Sequence, residues 1–70
     1  MDEFEISRMI RLGQFLKLAN LAESGAHARE LILNGDVLVD GEVETRRGRQ
    51  LVGGEVVAVH GESLTLVMAS

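Results

Sequence analysis

The segment "ETRRGRQL", residues 44–51, sets Arg46, Arg47 and Arg49 within four positions of a 70-residue chain whose formal net charge is −4. Three of its seven basic side chains therefore sit together. Guanidinium groups make forked hydrogen bonds to phosphate and keep their charge when partly desolvated. An anion site is one reading of the run, and a solvated basic turn is the other; composition alone supports both equally. The total charge is a poor guide here, because residues 1–10 and 55–70 each sum to −2 and residues 11–54 to zero. Inside that neutral middle, "TRRGRQLVGG", residues 45–54, carries +3 and no acid. Local field governs anion binding more than total charge does.

Other chemistry is poorly supplied. There is no cysteine, so neither a disulfide nor a thiolate metal site is available. His27 and His60 have no sequence-local partner, and no His/carboxylate set at metal-ligand spacing occurs. Both read as surface histidines. Ser7, Ser24, Ser63 and Ser70 lie in no nucleophile motif. No GxGxxG or Walker sequence is present, and the internal Gly53-Gly54 pair reads as a plain turn. An enzyme, a metal and a cofactor are all unexpected.

The elements that must position the arginines are short. Leu12, Phe15, Leu16 and Ala19 recur at helical spacing, which predicts an amphipathic helix over 13–20. Ser24 is a good N-cap for a second helix, in which Ala28, Leu31 and Ile32 share a face. Gly35 suits the left-handed residue that ends a helix, so this one should stop at Asn34. The period then changes. "DVLVDGEVET" reads as a hairpin about Asp40-Gly41. A two-residue turn would set Val37 and Val39 opposite Glu44 and Glu42. A bulged three-residue turn would pair Val37 with Val43, and is preferred because register follows the buried face. "EVVAV" and "SLTLVM" predict two more strands separated by His60-Gly61-Glu62, and "FEI" an edge strand. The fold class is α+β, two short helices packed on a small, mostly antiparallel sheet.

Length and composition allow one domain, residues 1–70, with a limited core. At 46% apolar and 26% charged residues the chain is globular rather than disordered. "MDEFEISRMI" is acidic where a signal peptide would be basic, and the longest apolar runs, such as "VVAV", are too short to span a bilayer. A soluble, intracellular protein with no membrane partner is expected. The lack of cysteine suits a reducing cytoplasm.

Residues 23–57, "ESGAHARELILNGDVLVDGEVETRRGRQLVGGEVV", resemble the S-four RNA-binding domain, or alpha-L module. Ser24, Ala28-Arg29, Leu31-Ile32, Gly35, Val37, Val39 and Gly41 occupy the places of the family pattern in order. "IRLGQFLKLANLAESG" further resembles the small, stand-alone bacterial branch, so the resemblance covers about residues 10–60. It departs at three places. Gly25 stands where a basic residue often follows the helix-opening Ser, Asp40 stands for Asn, and Glu55 stands for Asp.

The resemblance implies an RNA-facing surface on the second helix and the following loop. Arg29 matches the basic helix position, and Arg46, Arg47 and Arg49 match the basic segment after the hairpin. Lys17 and Asn20 are rim candidates, for which an ordinary exposed side chain is an equal reading. His27 is a further candidate phosphate donor. The function implied is a non-catalytic module for structured or ribosomal RNA, acting as a cytoplasmic monomer. A protein-interaction module whose arginines meet an acidic partner is the alternative, favoured by net acidity and by Gly25. A helix-turn-helix DNA reader fits less well, because only Arg29 on the second helix is long enough to read bases. The chain has no Trp or Tyr, Phe15 is assigned to the core, and Phe4 stands alone in an acidic segment. Contacts to phosphate and 2′-hydroxyl, which read the shape of folded RNA, are therefore expected over base stacking.

Overall fold

The computed structural model describes residues 2–69. The elements in chain order are β1 (Asp2–Ile6), β2 (Ile10–Arg11), α1 (Leu12–Leu18), α2 (Gly25–Leu33), β3 (Val37–Val39), β4 (Glu42–Val43), β5 (Gln50–Leu51), β6 (Val56–Val59) and β7 (Glu62–Met68). Five strands form one sheet in the order β1-β7-β6-β3-β4, and β2 pairs with β5 in a separate ribbon. Only β1 with β7 is parallel; the other pairs are antiparallel. No helix among the described residues is long and apolar enough to cross a membrane.

Alternation decides which side of the sheet the helices cover. Val37, Val39, Val57 and Val59 are buried, while Leu38, Val56 and Ala58 between them are half-buried. The buried set joins Leu12, Phe15 and Leu16 of α1, Ala28, Leu31 and Ile32 of α2, and Leu51 and Leu66 in one core. Phe4 is not isolated: it meets the Phe15 ring edge-on, with centroids 5.3 Å apart. That contact ties the edge strand β1 to α1, and such pairs contribute about 0.5–1.5 kcal/mol beyond area burial. Ser24 caps α2, its Oγ accepting from the His27 N–H at 3.1 Å. The helix ends at Asn34 with Gly35 at φ +79°, as its sequence predicts.

The hairpin register differs from the bulged one expected. Val39 faces Glu42 and Leu38 faces Val43, and the Glu44 N–H donates to the Val37 carbonyl at 3.0 Å. Asp40 and Gly41 both have positive φ, 53° and 85°, the signature of a two-residue type I′ turn. Val43 is consequently 56% exposed, and Glu44 lies on the buried side. A carboxylate can occupy that side only if it is paired. Its partners are two of the arginines.

Candidate nucleic-acid interface

The arginine loop, residues 44–50, is held from both sides. On one side is Glu44. Its Oε2 accepts from the backbone N–H and Nε of Arg46, each at 3.1 Å, and its Oε1 from Arg46 Nη2 at 3.1 Å and Arg49 Nη1 at 2.9 Å. Hydrogen bonds from Arg46 and then Arg49 hold the Glu44 carboxyl down at about 2, against a usual 4.5, although burial opposes them. In return, Glu44 raises the pKa of Arg46 through the same hydrogen bonds. The acid-free window therefore begins one residue past its own counter-charge, and Glu44, Arg46 and Arg49 together carry only +1.

On the other side is the start of α1. A helix leaves its first N–H groups without intrahelical partners. Here the Leu12 N–H donates to the Arg49 carbonyl at 2.8 Å and the Gly13 N–H to the Arg47 carbonyl at 3.0 Å. The Arg11 guanidinium adds a bond from Nη1 to the Gly48 carbonyl at 3.1 Å. The β2–β5 pairing, Ile10 with Leu51 and Arg11 with Gln50, closes the loop behind these contacts. Arg46, Arg47 and Arg49 thus project from a fixed scaffold rather than from a loose turn.

Arg47 differs from its neighbours. Among the described residues it makes no ion pair, and neither do Arg11, Lys17 and Arg29. The stem of Arg47 crosses α1 at Gly13 so closely that a Cβ there would lie 2.7 Å from Arg47 Cγ. Arg47, Gly48, Arg11, Gly13, Gln14, Lys17 and Gly25 surround a cleft of about 400 Å³, with no carboxylate residue among them. Gly25 opens α2, and the N–H groups of Gly25 and Ala26 have no hydrogen-bond partner among the described residues. Unpartnered N–H groups at a helix start favour an anion. Three cations and a helix start therefore converge on one cleft.

The structure sorts the residues singled out in the sequence. Lys17 and Arg47 line the cleft. Arg29 is exposed one turn beyond Gly25 on α2, on the same side of that helix, and is not among the residues lining the cleft. Arg46 keeps 72% of its side chain exposed while bound to Glu44, and Arg49 keeps 31%. Asn20 lies outside the cleft, in left-handed backbone at φ 65° just after α1. His27 is occupied locally, its Nδ1 accepting from the Glu23 N–H at 3.0 Å. Arg11 is the residue that sequence reasoning missed. Its partner, Gly48, is 37 positions away, and no local pattern marks it.

Comparison with known proteins identifies the family of this α+β chain. The S4 domain model matches residues 4–67, and the chain belongs to that family. It is 47% identical over 55 residues to the Bacillus subtilis (strain 168) protein named "Probable ribosome maturation protein RlbA", covering 79% of this chain and 78% of the relative. It is 43% identical over 58 residues to YbcJ of Escherichia coli (strain K12), covering 83% of each. The solution structure of the E. coli YbcJ superposes with a TM-score of 0.70 at 38% identity, covering 96% of this chain and 87% of that one. That structure is described as revealing an alpha-L motif involved in RNA binding. The fold is thus the alpha-L fold.

Proposed function

We propose that the chain is a non-catalytic RNA-binding protein that seats the backbone of folded RNA in the cleft between α1, the first turn of α2 and the arginine loop. The observation that carries this reading is the convergence of Arg11, Lys17 and Arg47, none of them ion-paired, on a cleft without a carboxylate. Each would meet a phosphate directly. Arg46 contributes the outer edge of its guanidinium, and Arg29 extends the surface along α2. The RNA-binding motif of YbcJ and the ribosome-maturation name of RlbA support RNA as the partner, and ribosomal RNA as its source. The domain acts as a monomer in the cytoplasm.

The test is binding of the whole chain to an RNA hairpin and to an unstructured strand of equal length at matched salt. The hairpin should bind more tightly, and Arg11→Ala, Lys17→Ala and Arg47→Ala should each weaken it. The melting curves of Lys17→Ala and Arg47→Ala should stay within about 0.5 kcal/mol of the parent, as for ordinary surface changes, whereas Arg11→Ala also loses the bond to the Gly48 carbonyl and should be less stable by about 1 kcal/mol. Tighter binding of the unstructured strand would overturn recognition by shape. Binding to an acidic peptide with none to RNA would make the arginines a protein-docking surface.

A further inference from the structure

A second groove, of about 630 Å³, adjoins the basic cleft and shares two of its walls, Gln14 and Lys17. Its remaining lining comes from the end of β1, the β1–β2 connection, the start of β2 and the end of α1, and its character is different. Met9 and Leu18, 39% and 63% exposed, both line it. Each alone would be an ordinary surface apolar residue. Together they give one groove two apolar walls. Arg8 lies in the same lining and, among the described residues, makes no ion pair. Glu5 and the side-chain amide of Gln14 add hydrogen-bonding capacity of both kinds. The Gln14 Oε1 accepts from the Arg11 N–H at 3.3 Å, and among the described residues its NH₂ has no hydrogen-bond partner.

We propose that this groove takes one unpaired nucleotide, bulged from the same RNA whose backbone lies in the basic cleft; the proposal rests on the RNA-binding reading above. The apolar pair provides faces against which a base can lie, a role that apolar as well as aromatic side chains fill around extruded bases. Glu5 and Gln14 offer an acceptor and donors to the base edge. Arg8 and Lys17 line the groove and would meet the phosphates that flank a bulge, and Lys17 lines both grooves, so it joins the two stretches of backbone. A fully paired helix cannot use this groove, because its bases are stacked inside the duplex. The selectivity of the protein would then lie in a helix with an unpaired residue, which is a feature of shape.

Two RNA hairpins with the same stem, one fully paired and one with a single bulged nucleotide, test the proposal in binding measurements with the whole chain. A 2-aminopurine at the bulge reports where the base goes. The bulged hairpin should bind about fivefold more tightly, the lower end of what stacking one base on an aromatic ring contributes, and the fluorescence of the probe should change on binding. The double variant Met9→Ala/Leu18→Ala should bind the paired hairpin as the parent does and lose the preference and the fluorescence change. Equal binding of both hairpins by the parent, or an unaltered preference in the double variant, overturns the groove assignment and leaves the basic cleft standing. Binding of neither hairpin overturns the RNA reading itself, and the groove assignment with it.

Discussion

Glu44 fixes two of the loop arginines, Arg46 and Arg49, from a buried position just past β4. Replacing it by Gln keeps the shape and removes the charge. Its folded-state pKa lies near 2 against a usual 4.5, so the stability it contributes is fully present above about pH 5 and is lost as pH falls toward 2. With the Arg46 side chain 72% exposed, solvent screening keeps that contribution well below the full value of the shift. Chemical denaturation at a series of pH values should therefore show Glu44→Gln less stable than the parent at pH 7, with the gap closing between about pH 5 and pH 2. A gap that does not depend on pH would mean that packing, not charge, holds the loop. Gly25 allows the opposite kind of change. An added Cβ there meets nothing within 4 Å, and the residue already lines the cleft. Gly25→Lys would supply the basic side chain that the resembling family often carries, and RNA binding should tighten several-fold, with a salt dependence steeper by about 0.9 in log–log slope. An unchanged affinity in a titration would place the phosphate path away from α2.

At the scale of elements, the interface depends on α1 and the arginine loop capping each other. The loop supplies carbonyls to the Leu12 and Gly13 N–H groups, and α1 supplies a bed for the Arg47 stem. Gly13→Ala sets two effects against each other. Alanine is favoured over glycine inside a helix by about 1 kcal/mol, but its Cβ would lie 2.7 Å from Arg47 Cγ and must displace that side chain. The expected outcome is a stability within about 1 kcal/mol of the parent, with RNA affinity reduced several-fold; paired melting and binding curves show whether the two separate. Full RNA affinity in this variant would mean that the resting place of Arg47 is immaterial. What the sequence revealed follows the same division. Local signals were legible: Ser24 and Gly35 bounded α2, and the runs "DVLV" and "EVVAV" between turn residues marked β3 and β6. The hairpin register was not, because alternation assigns a glutamate to solvent, and only the guanidinium pairs explain why Glu44 turns inward. Arg11 was missed for a related reason. The β2–β5 ribbon is two residues long in each strand, too short for any period, and its contacts join segments far apart in the chain.

Across the whole molecule, the net charge of −4 need not oppose RNA, because the sheet separates its charges. Strand β1, with Asp2 and Glu3, occupies the edge opposite β4, from which the arginine loop departs. Four strand spacings amount to about 19 Å, more than two Debye lengths at about 8 Å in physiological salt. Asp2 and Glu3 are thus screened from the loop where it leaves β4, whereas Glu5 of the same strand lines the groove beside the cleft; the cleft itself has no carboxylate in its lining, so a phosphate entering it meets the local cations. The number of those cations sets the salt dependence. If Arg11, Lys17 and Arg47 each neutralise one phosphate of a paired stem, the log–log slope is about −2.7, and affinity falls roughly fortyfold between about 50 and 200 mM salt. Arg47→Ala should reduce the slope to about −1.8 and the fall to roughly twelvefold over the same range. Glu62→Gln, a neutralising change at the first residue of β7 and outside the lining of the cleft, should leave the slope alone. Titrations of one hairpin across that salt range distinguish the cases. A slope near zero for the parent would mean that phosphates are not what the cleft holds, and an equal change from Arg47→Ala and Glu62→Gln would mean that total charge, not the cleft, governs binding.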